Sequence, residues 1–457
     1  MEEMMCKEAE VRPWSSSRKL PQYLAAFSAS LMSFSGGTCL AWASPATPLL
    51  QAAGELTAAQ ASWAGSLLPL GAALGAPVSG WLLPRRGPRG TLLLLGAPFA
   101  LGYVVLLALH AHPACMYAAR LLSGAALGGL CVATPVYLAE ISEDSVRGGL
   151  GSFLQLMFSS GILFVYLLGL ADSYVLLAAC CLAVPLASTA VLFWMPESPV
   201  HLLARNRRQE ATESLRWLRG GRPDLAGELQ SLQAGREEGT WRDLVSCPSA
   251  RKALGISLGL VAFQQLSGIC AVLFYAERIF LEAGSPMSPG ACSAVTGAVM
   301  VVGSCLGSLL ADRLGRRVLL LWSGCLLTLT SGLLGGHFLL MEVSLSRLTL
   351  AWAPLLGSAV YMVAYCVGLG PLPWVVMAEV LPPRAKGLAG SVCSSFCWLL
   401  SFLVAKSFQD LKDAAGTHLA FWVFCFCCFV SVLFVHFVVP ETKGKSLRLI
   451  QEEMTIK

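Results

Sequence analysis

Long apolar blocks follow one another along almost the whole chain, and short polar segments separate them. Each block approaches or exceeds the roughly 20 residues that an α-helix needs to cross the hydrocarbon core of a bilayer. The predicted spans, numbered 1 to 12 in chain order, are Pro21–Leu50, Ser62–Leu83, Gly90–Leu109, Cys115–Ala139, Gly148–Leu170, Ser173–Met195, Ala253–Ala276, Gly290–Ala311, Val318–Leu340, Thr349–Ala378, Gly387–Ala405 and His418–Val439. One such block could be a buried core helix, but twelve in succession indicate a polytopic membrane protein.

The composition supports this interpretation. Of the 457 residues, 56% are hydrophobic and 13% are charged, whereas about 25% are charged in typical soluble chains. Arg120 is the only Asp, Glu, Lys or Arg inside a predicted span. We therefore expect an all-α membrane protein whose first partner is the lipid bilayer.

Basic residues indicate the orientation in the membrane. Lys and Arg concentrate in the first 20 residues, in the loops that follow spans 2, 4, 8 and 10, between spans 6 and 7, and in the C-terminal tail. The positive-inside rule then places both termini in the cytoplasm. The net charge of +5 reflects this bias and requires no nucleic-acid partner. The sequence leaves the plasma membrane and endomembranes open as locations, and it leaves the oligomeric state open as well.

The sequence offers little for catalysis or for a cofactor. The chain has 17 cysteines, most of them in predicted spans, where Cys packs as a small hydrophobe. No His/Cys cluster has the spacing of a metal site, and no loop combines a nucleophile with a base. The first 20 residues lack the short apolar core of a signal peptide. We therefore expect neither a metal nor another cofactor, and no enzyme activity.

Polar motifs at the ends of spans recur six spans later. The three pairs of segments are Gly80–Arg89 with Gly307–Arg317, Glu140–Arg147 with Glu379–Lys386, and Pro196–Ser198 with Pro440–Thr442. Three pairs at one offset indicate duplication of a six-helix unit, the parallel-repeat architecture of major facilitator transporters. The predicted organisation is a cytoplasmic N-terminus (1–20), a first six-helix half (21–195), a cytoplasmic linker with short amphipathic helices (196–252), a second half (253–439) and a cytoplasmic tail (440–457).

The repeated charges suggest a gate. Carboxylates and basic groups at the cytoplasmic helix ends could pair across the two halves and close that side while the carrier faces outward. The alternative is that they only anchor the helix ends among lipid headgroups. We expect gating roles for Glu140, Arg147, Glu197, Asp312, Arg313, Arg316, Glu379, Lys386 and Glu441.

Five short motifs in a fixed order carry a resemblance that covers nearly the whole chain. They are Pro196–Pro199, Gln264–Gly268, Gly307–Arg317, Gly370–Trp374 and Pro440–Gly444. Through them the chain resembles the facilitative glucose transporter (sugar porter) family of the major facilitator superfamily. The stretches Trp42–Leu50 and Met377–Gly387 look most like the subgroup of mammalian class III carriers and insect trehalose carriers. The resemblance implies alternating-access transport of a small sugar.

The resemblance also implies which side chains meet the sugar. Gln155, Gln264 and Gln265 match sugar-contacting glutamines of the family, and an amide offers donors and an acceptor without the cost of a buried charge. Trp374 and Trp398 match pocket tryptophans. The simpler alternatives are interhelical hydrogen bonds for a membrane glutamine and an interfacial belt position for a membrane tryptophan.

The resemblance assigns three further residues to the conformational change of the carrier. Tyr275 corresponds to the aromatic residue that closes the outer side of the site in the family. Pro371 and Pro373 interrupt span 10, where they remove backbone hydrogen bonds and permit bending. We count all three among the gating residues.

The chain departs from the family pattern at several of these sites. Cys270, a substrate-binding candidate by position, and Cys397 stand where the family has asparagine. Each hydrogen bond lost costs about 0.5–1.5 kcal/mol, so we expect a low-affinity site or a changed substrate. In the first half, Pro84 and Pro88 replace the family's Asp and Arg, which should favour inward-facing states.

The absence of a carboxylate from span 1 indicates how transport is driven. Proton-coupled members of the family carry an acidic residue in span 1, and Pro21–Leu50 contains neither Asp nor Glu. We therefore expect facilitative uniport of a hexose, such as glucose, or a related sugar. Two alternatives stay open: a carrier of a less polar or non-hexose substrate, and a transport-deficient relative that acts as a sensor.

Overall fold

The computed structural model describes residues 19–143, 146–221, 225–234, 248–285, 287–343, 352–381 and 386–443, and every regular element in this part is helical. The first half and linker contain α1 (Leu20–Ala41), α2 (Ala43–Ala52), α3 (Ala58–Ala108), α4 (Pro113–Ile141), α5 (Arg147–Gly169), α6 (Tyr174–Phe193), α7 (Pro199–Ala204), α8 (Arg208–Leu218) and α9 (Ala226–Ala234). The second half contains α10 (Pro248–Leu266), α11 (Ile269–Phe274), α12 (Ala276–Glu282), α13 (Pro289–Leu314), α14 (Arg316–Glu342), α15 (Ala353–Ala364), a π-helical turn (Tyr365–Leu369), α16 (Leu372–Val380), α17 (Lys386–Ala415) and α18 (Thr417–Val438).

Eleven helical stretches of the described chain are long and apolar enough to cross a bilayer. They cover all twelve predicted spans, because α3 consists of two helices, spans 2 and 3, that follow each other directly. The backbone between them is not helical at Gly87, where φ is 78° and ψ is 164°. The predicted all-α membrane bundle is confirmed.

Glycines set how closely the helices of the first half approach one another. Gly71 and Gly75 on α3 face Gly124 and Gly128 on α4, and each pair forms a Gly-x-x-x-Gly repeat. A Cβ atom at Gly75 would lie only 2.0 Å from the carbonyl oxygen of Ala125. Within a bilayer, such close backbone packing is a main source of helix association because lipid is as apolar as the side chains.

The two halves meet along two helix pairs, with α3 packed on α17 and α5 packed on α13. Serine hydroxyls bridge the second pair. Ser152 Oγ lies 2.5 Å from Ser308 Oγ, and Ser159 Oγ lies 2.8 Å from Ser304 Oγ. These polar contacts fix the lateral position of one half against the other.

The linker helices α7 to α9 attach to the first half. Tyr137 of α4 donates to the carbonyl oxygen of Pro196 at 2.8 Å. Arg219 is buried at the end of α8, where it donates to the carbonyl oxygen of Ile141 at 3.0 Å and forms an ion pair with Glu228 at 2.6 Å. We call the end of the bundle that carries these helices the linker end, and the opposite end the far end.

The glutamates of the repeated Pro-Glu motif make equivalent contacts in the two halves. Glu197 accepts hydrogen bonds from the backbone N–H groups of Arg89 and of the next residue, both at 3.0 Å. Glu441 accepts from the backbone N–H groups of Arg316 and of the next residue, at 3.1 and 3.2 Å. A carboxylate is favourable where helical N–H groups are unpaired. In each half, the start of the third span is therefore held by a glutamate that follows the sixth span of that half.

Gly315 provides the turn that lets Glu441 reach α14. Its φ of 95° and ψ of 151° lie in a region that only glycine adopts without strain of about 1–3 kcal/mol. A Cβ atom there would also approach the Glu441 carboxylate to 3.0 Å. We expect Gly315→Ala to lower the thermal unfolding midpoint of the detergent-solubilised protein.

Gly336→Ala in the same helix is the matched control. No atom outside the backbone of the helix lies within 4 Å of a Cβ at this position, and alanine is the better helix former. The control should keep or raise the midpoint. Equal losses in the two variants would contradict the role assigned to Gly315.

Candidate substrate site between the two halves

The middle of span 7 is not helical. Ser267 and Gly268 separate α10 from α11, and Gly268 has a φ of 90°. Ser267 Oγ donates to the carbonyl oxygen of Gln264 at 2.7 Å, and Tyr361 OH donates to the carbonyl oxygen of Ser267 at 2.9 Å. These bonds satisfy carbonyl groups at the interruption, as a break inside a bilayer requires.

Five buried polar side chains meet beside this break, namely Gln264, Gln265, Cys270, Cys397 and Ser401, which we call the central cluster. Gln265 Nε2 donates to Cys397 Sγ at 3.0 Å, and Cys270 Sγ donates to Gln265 Oε1 at 3.2 Å. Ser401 Oγ donates to Cys270 Sγ at 2.9 Å. The structure thus brings together three predicted substrate-binding residues and adds Cys397 and Ser401 from α17.

The two amides of the cluster differ in how firmly they are held. Gln264 Nε2 donates to the carbonyl oxygen of Gly370 at 2.5 Å, which ties span 7 to span 10. Among the described residues, the side chain of Gln265 bonds only to the thiols of Cys270 and Cys397. Thiols are weak donors and weak acceptors. A hydroxyl group could replace these contacts with stronger ones. Gln265 is therefore the amide of the cluster that is better placed to bind a substrate.

Span 10 is interrupted next to the cluster. α15 passes into the π-helical turn Tyr365–Leu369, and α16 begins after Pro371. Trp374 is partly buried on α16, beside the buried Pro373. Trp398 of α17 is 8% exposed, and its indole N–H makes no hydrogen bond of ordinary geometry to a described residue. The thiol of Cys131 on the first half lies next to this N–H. A thiol is a weak acceptor, so a substrate hydroxyl could offer the donor a stronger partner.

Gln155 lies on the other half of the molecule. Its Nε2 is 3.4 Å from Ser159 Oγ, and Ser159 in turn contacts Ser304 across the interface between the halves. Among the described residues, no hydrogen bond joins Gln155 to the central cluster. Its contact with substrate stays a prediction.

The halves close on each other at the far end. Tyr275 stacks on Phe408 with ring centroids 5.5 Å apart, and its side chain lies next to Ser62 of the first half. The backbone N–H of Glu277 donates to Ser44 Oγ of the first half at 3.3 Å. The structure is therefore closed at the far end, and Tyr275 takes part in the closure.

At the linker end, the charged groups for which the structure gives partners contact their own half. Arg316 forms an ion pair with Glu379 at 3.1 Å. Glu140 accepts a hydrogen bond from the hydroxyl of Ser198. Pro88 occupies the first-half position equivalent to Arg316, so the guanidinium group that binds Glu379 has no counterpart for Glu140. Pairing across the halves stays a prediction.

Four other predicted gating residues are less informative. The side chains of Arg147, Asp312 and Lys386 lie outside the described part of the structure. Arg313 has an exposed side chain, and its carbonyl oxygen accepts a hydrogen bond from Lys443 Nζ at 2.6 Å.

Arg120 is a residue whose role the sequence did not suggest. It is fully buried, with Nε donating to the carbonyl oxygen of Ala64 at 2.9 Å and Nη1 to that of Cys39 at 2.8 Å. Its guanidinium carbon lies 5.0 Å from the ring centroid of Trp42. Arg120 thus joins α1, α3 and α4 near Trp42, the residue between α1 and α2. The sequence did give one signal for this residue, because Arg120 is the only charged residue in a predicted span.

Twelve apolar spans and a polar break between the two halves define an all-α membrane fold of the major facilitator type. A family model described as "Sugar (and other) transporter" matches residues 20–454, and the chain belongs to this family. Among solved structures, the partially occluded inward-open xylose transporter XylE from E. coli aligns with a TM-score of 0.79 and 21% identity, over 93% of this chain and 99% of that one. At this identity the likeness shows the fold.

Curated relatives include facilitated trehalose transporters named Tret1. The protein of Drosophila mojavensis is 36% identical over 444 residues, which is 95% of this chain and 51% of the relative. The protein of Bombyx mori is 35% identical over 440 residues, which is 95% of this chain and 87% of the relative. The chain therefore spans about half the length of the Drosophila protein and most of the silkworm protein.

Glu277 makes the far-end closure sensitive to pH. The residue lies just beyond the end of span 7, where burial, reinforced by the neighbouring Asp172 carboxylate, raises its pKa to about 7. The adjacent Arg278 pairs with Glu282 at 3.1 Å instead. Opening the far end would expose Glu277 and return its pKa toward the ordinary 4.5. Closure is therefore favoured at low pH and weakens as the pH rises from 4.5 to 7.

We expect a thiol placed at the far-end interface by Ala61→Cys to be labelled faster by a membrane-impermeant maleimide as the pH rises through this range. Ala61 is 6% exposed in the closed structure, so its labelling reports opening. The same thiol in a Glu277→Gln background corrects for the pH dependence of thiol reactivity. An unchanged ratio between the two backgrounds across the range would rule out Glu277 as the titrating group.

Proposed function

We propose that the chain is a facilitative carrier that moves a hexose or a related sugar by alternating access. The observation that carries this proposal is the central cluster, where a buried amide held only by thiols lies beside a break in span 7. Hydroxyl groups both donate and accept hydrogen bonds, so they match the Gln265 amide and the N–H of Trp398. The facilitated trehalose transporters among the relatives support a sugar as the substrate.

The site also supports uniport over proton coupling. The only charge in a predicted span is Arg120, and its described partners are backbone carbonyl groups and the ring of Trp42. No span holds an acidic residue that could carry a proton from one side to the other. The driving force is then the sugar gradient alone.

The closed far end corresponds to the step of the transport cycle in which the site opens toward the linker end. With Tyr275 and Glu277 packed against the first half, a bound sugar would leave toward the linker end. The distribution of Lys and Arg supports a cytoplasmic linker end, with both termini on the same side. The sugar would therefore be released into the cytoplasm, at the plasma membrane or at an endomembrane.

Counterflow in proteoliposomes tests the proposal. Vesicles preloaded with unlabelled glucose, fructose or trehalose should accumulate the matching labelled sugar for at least one of the three. Gln265→Ala should reduce the apparent affinity about 2- to 10-fold for each hydrogen bond lost. Gln209→Ala is the matched control, since Gln209 lies exposed in the linker and contacts only Glu213 among the described residues.

Two outcomes would count against parts of the proposal. Equal effects of the two glutamine substitutions would remove Gln265 from the site. Alkalinisation of the external medium during sugar uptake would contradict uniport, because proton co-transport consumes external protons.

The sulfur atoms favour a second candidate function. Cys270 and Cys397 make the centre of the site less polar than an amide-lined one, which suits a less polar or non-hexose substrate. A transport-deficient sensor is the other alternative. Either would give no counterflow of the three sugars.

A substitution at Cys397 can distinguish a low-affinity sugar site from a site for a different substrate. Cys397→Asn adds an amide opposite Gln265, so sugar affinity should rise about 2- to 10-fold per added hydrogen bond. Labelled-sugar binding to the purified protein measures this rise, with Cys428→Ser in α18 as a buried thiol control outside the cluster. Unchanged or weaker binding would favour the less polar substrate.

A further inference from the structure

A second cavity lies between the two halves, outside the central cluster. It has a volume of about 360 Å³ at the far end, within the roughly 300–1,000 Å³ range of ligand pockets. The ends of α2 and α5 and the start of α3 line it from the first half. The α11–α12 junction, the start of α13 and Gln409 of α17 line it from the second. We call it the far-end cavity, and no member of the central cluster lines it.

Polar atoms in the wall of this cavity lack partners. Glu277 Oε1 and Gln409 Oε1 make no hydrogen bond of ordinary geometry to a described residue. Ser62 Oγ and Tyr275 OH lie next to each other across the two halves, also without a bond of ordinary geometry. Ser62, Tyr275 and Gln409 are only 3%, 7% and 6% exposed. The amide nitrogen of Gln409 donates to Asp413 at 2.8 Å, which fixes the orientation of the free oxygen. Buried polar groups are nearly always paired, so the cavity is built for an occupant that forms hydrogen bonds.

The lining identifies the chemistry of that occupant. Two hydroxyl groups can donate or accept, while a carboxyl oxygen and an amide oxygen accept. Glu277, Asp172 and Arg278 line the cavity. Arg278 is paired with Glu282, so the two carboxyl groups disfavour an anion. Among the described residues, no group of three or more His, Cys, Asp or Glu could hold a metal ion. A neutral molecule with several hydroxyl groups supplies both the donors and the acceptors that this wall lacks.

We propose that the far-end cavity binds a small neutral polyol, such as a hexose or one ring of a disaccharide, which bridges the two halves. The polar groups available to it come from both sides, with the Ser62 hydroxyl on the first half and Tyr275, Glu277 and Gln409 on the second. Opening the far end would separate these walls, so the polyol binds the closed form only. A ligand that binds one form stabilises it. Polyol on the far side therefore slows transport without competing at the central cluster, and this site does not depend on sugar binding there.

Protection from labelling tests the proposal in the purified full-length protein in nanodiscs. Ala58 is an exposed residue in the lining, and Ala59 is its exposed neighbour outside the lining. Glucose, trehalose and sorbitol should each be tried against an impermeant maleimide. At least one should slow labelling at position 58 in Ala58→Cys and leave position 59 in Ala59→Cys unchanged.

Second-site variants then locate the bound polyol. Adding Ser62→Ala and Gln409→Leu to Ala58→Cys should raise the concentration needed for protection about fivefold or more, as two hydrogen bonds are lost. Gln51→Ala, at the partly buried rim, provides a milder variant should the pair impair folding. Gln265→Ala should leave the protection intact, which separates this site from the proposed transport site.

Three results would overturn the proposal. The first is equal labelling at position 58 with and without each polyol, which would mean that water alone occupies the cavity. The second is protection that survives in the Ser62 and Gln409 variants. The third is protection that disappears in Gln265→Ala, because the effect would then come from the central cluster.

Discussion

The breaks in spans 7 and 10 stabilise each other, and the central cluster lies beside them. Hydrocarbon offers no partner to a free carbonyl group, so an interrupted helix must be completed by protein. Tyr361 of span 10 donates to the carbonyl oxygen of Ser267 at the break in span 7. Gln264 of span 7 donates to the carbonyl oxygen of Gly370 at the break in span 10. Each span thus supplies the bond that the other lacks, and a change in one break must be felt in the other.

This reciprocal pairing explains why the two glutamines do different work. Gln264 completes the backbone of span 10, so its amide is committed to the fold. Gln265, the next residue, points to Cys397 and is left with sulfur partners that a hydroxyl can displace. In our proposal, a pair of adjacent amides therefore provides one structural residue and one binding residue. The N–H of Trp398 adds a donor from α17 that makes no hydrogen bond of ordinary geometry to a described residue.

The sequence predicted the all-α fold and the spans well, because hydrophobic block length is a local signal. Its motifs also named three residues that the structure places together in the central cluster. It predicted less where the structure depends on contacts between distant segments. Spacing does not show that Gln265 lies between two thiols. Arg120 was visible as a lone charge, but its partners are backbone carbonyl groups, which no pattern of side chains reveals.

A carrier must keep its two closed forms close in free energy, since a strongly favoured form would stop the cycle. Some polar groups of the far-end interface make its closure less favourable. It buries a carboxyl group near Asp172 and leaves several polar atoms in its wall without partners. Each of these costs free energy when the interface closes. At the linker end, Pro88 leaves the first half without a counterpart of the Arg316–Glu379 pair. If such charges close that end, as we predict, its closure is weakened as well, and both forms of the carrier stay accessible.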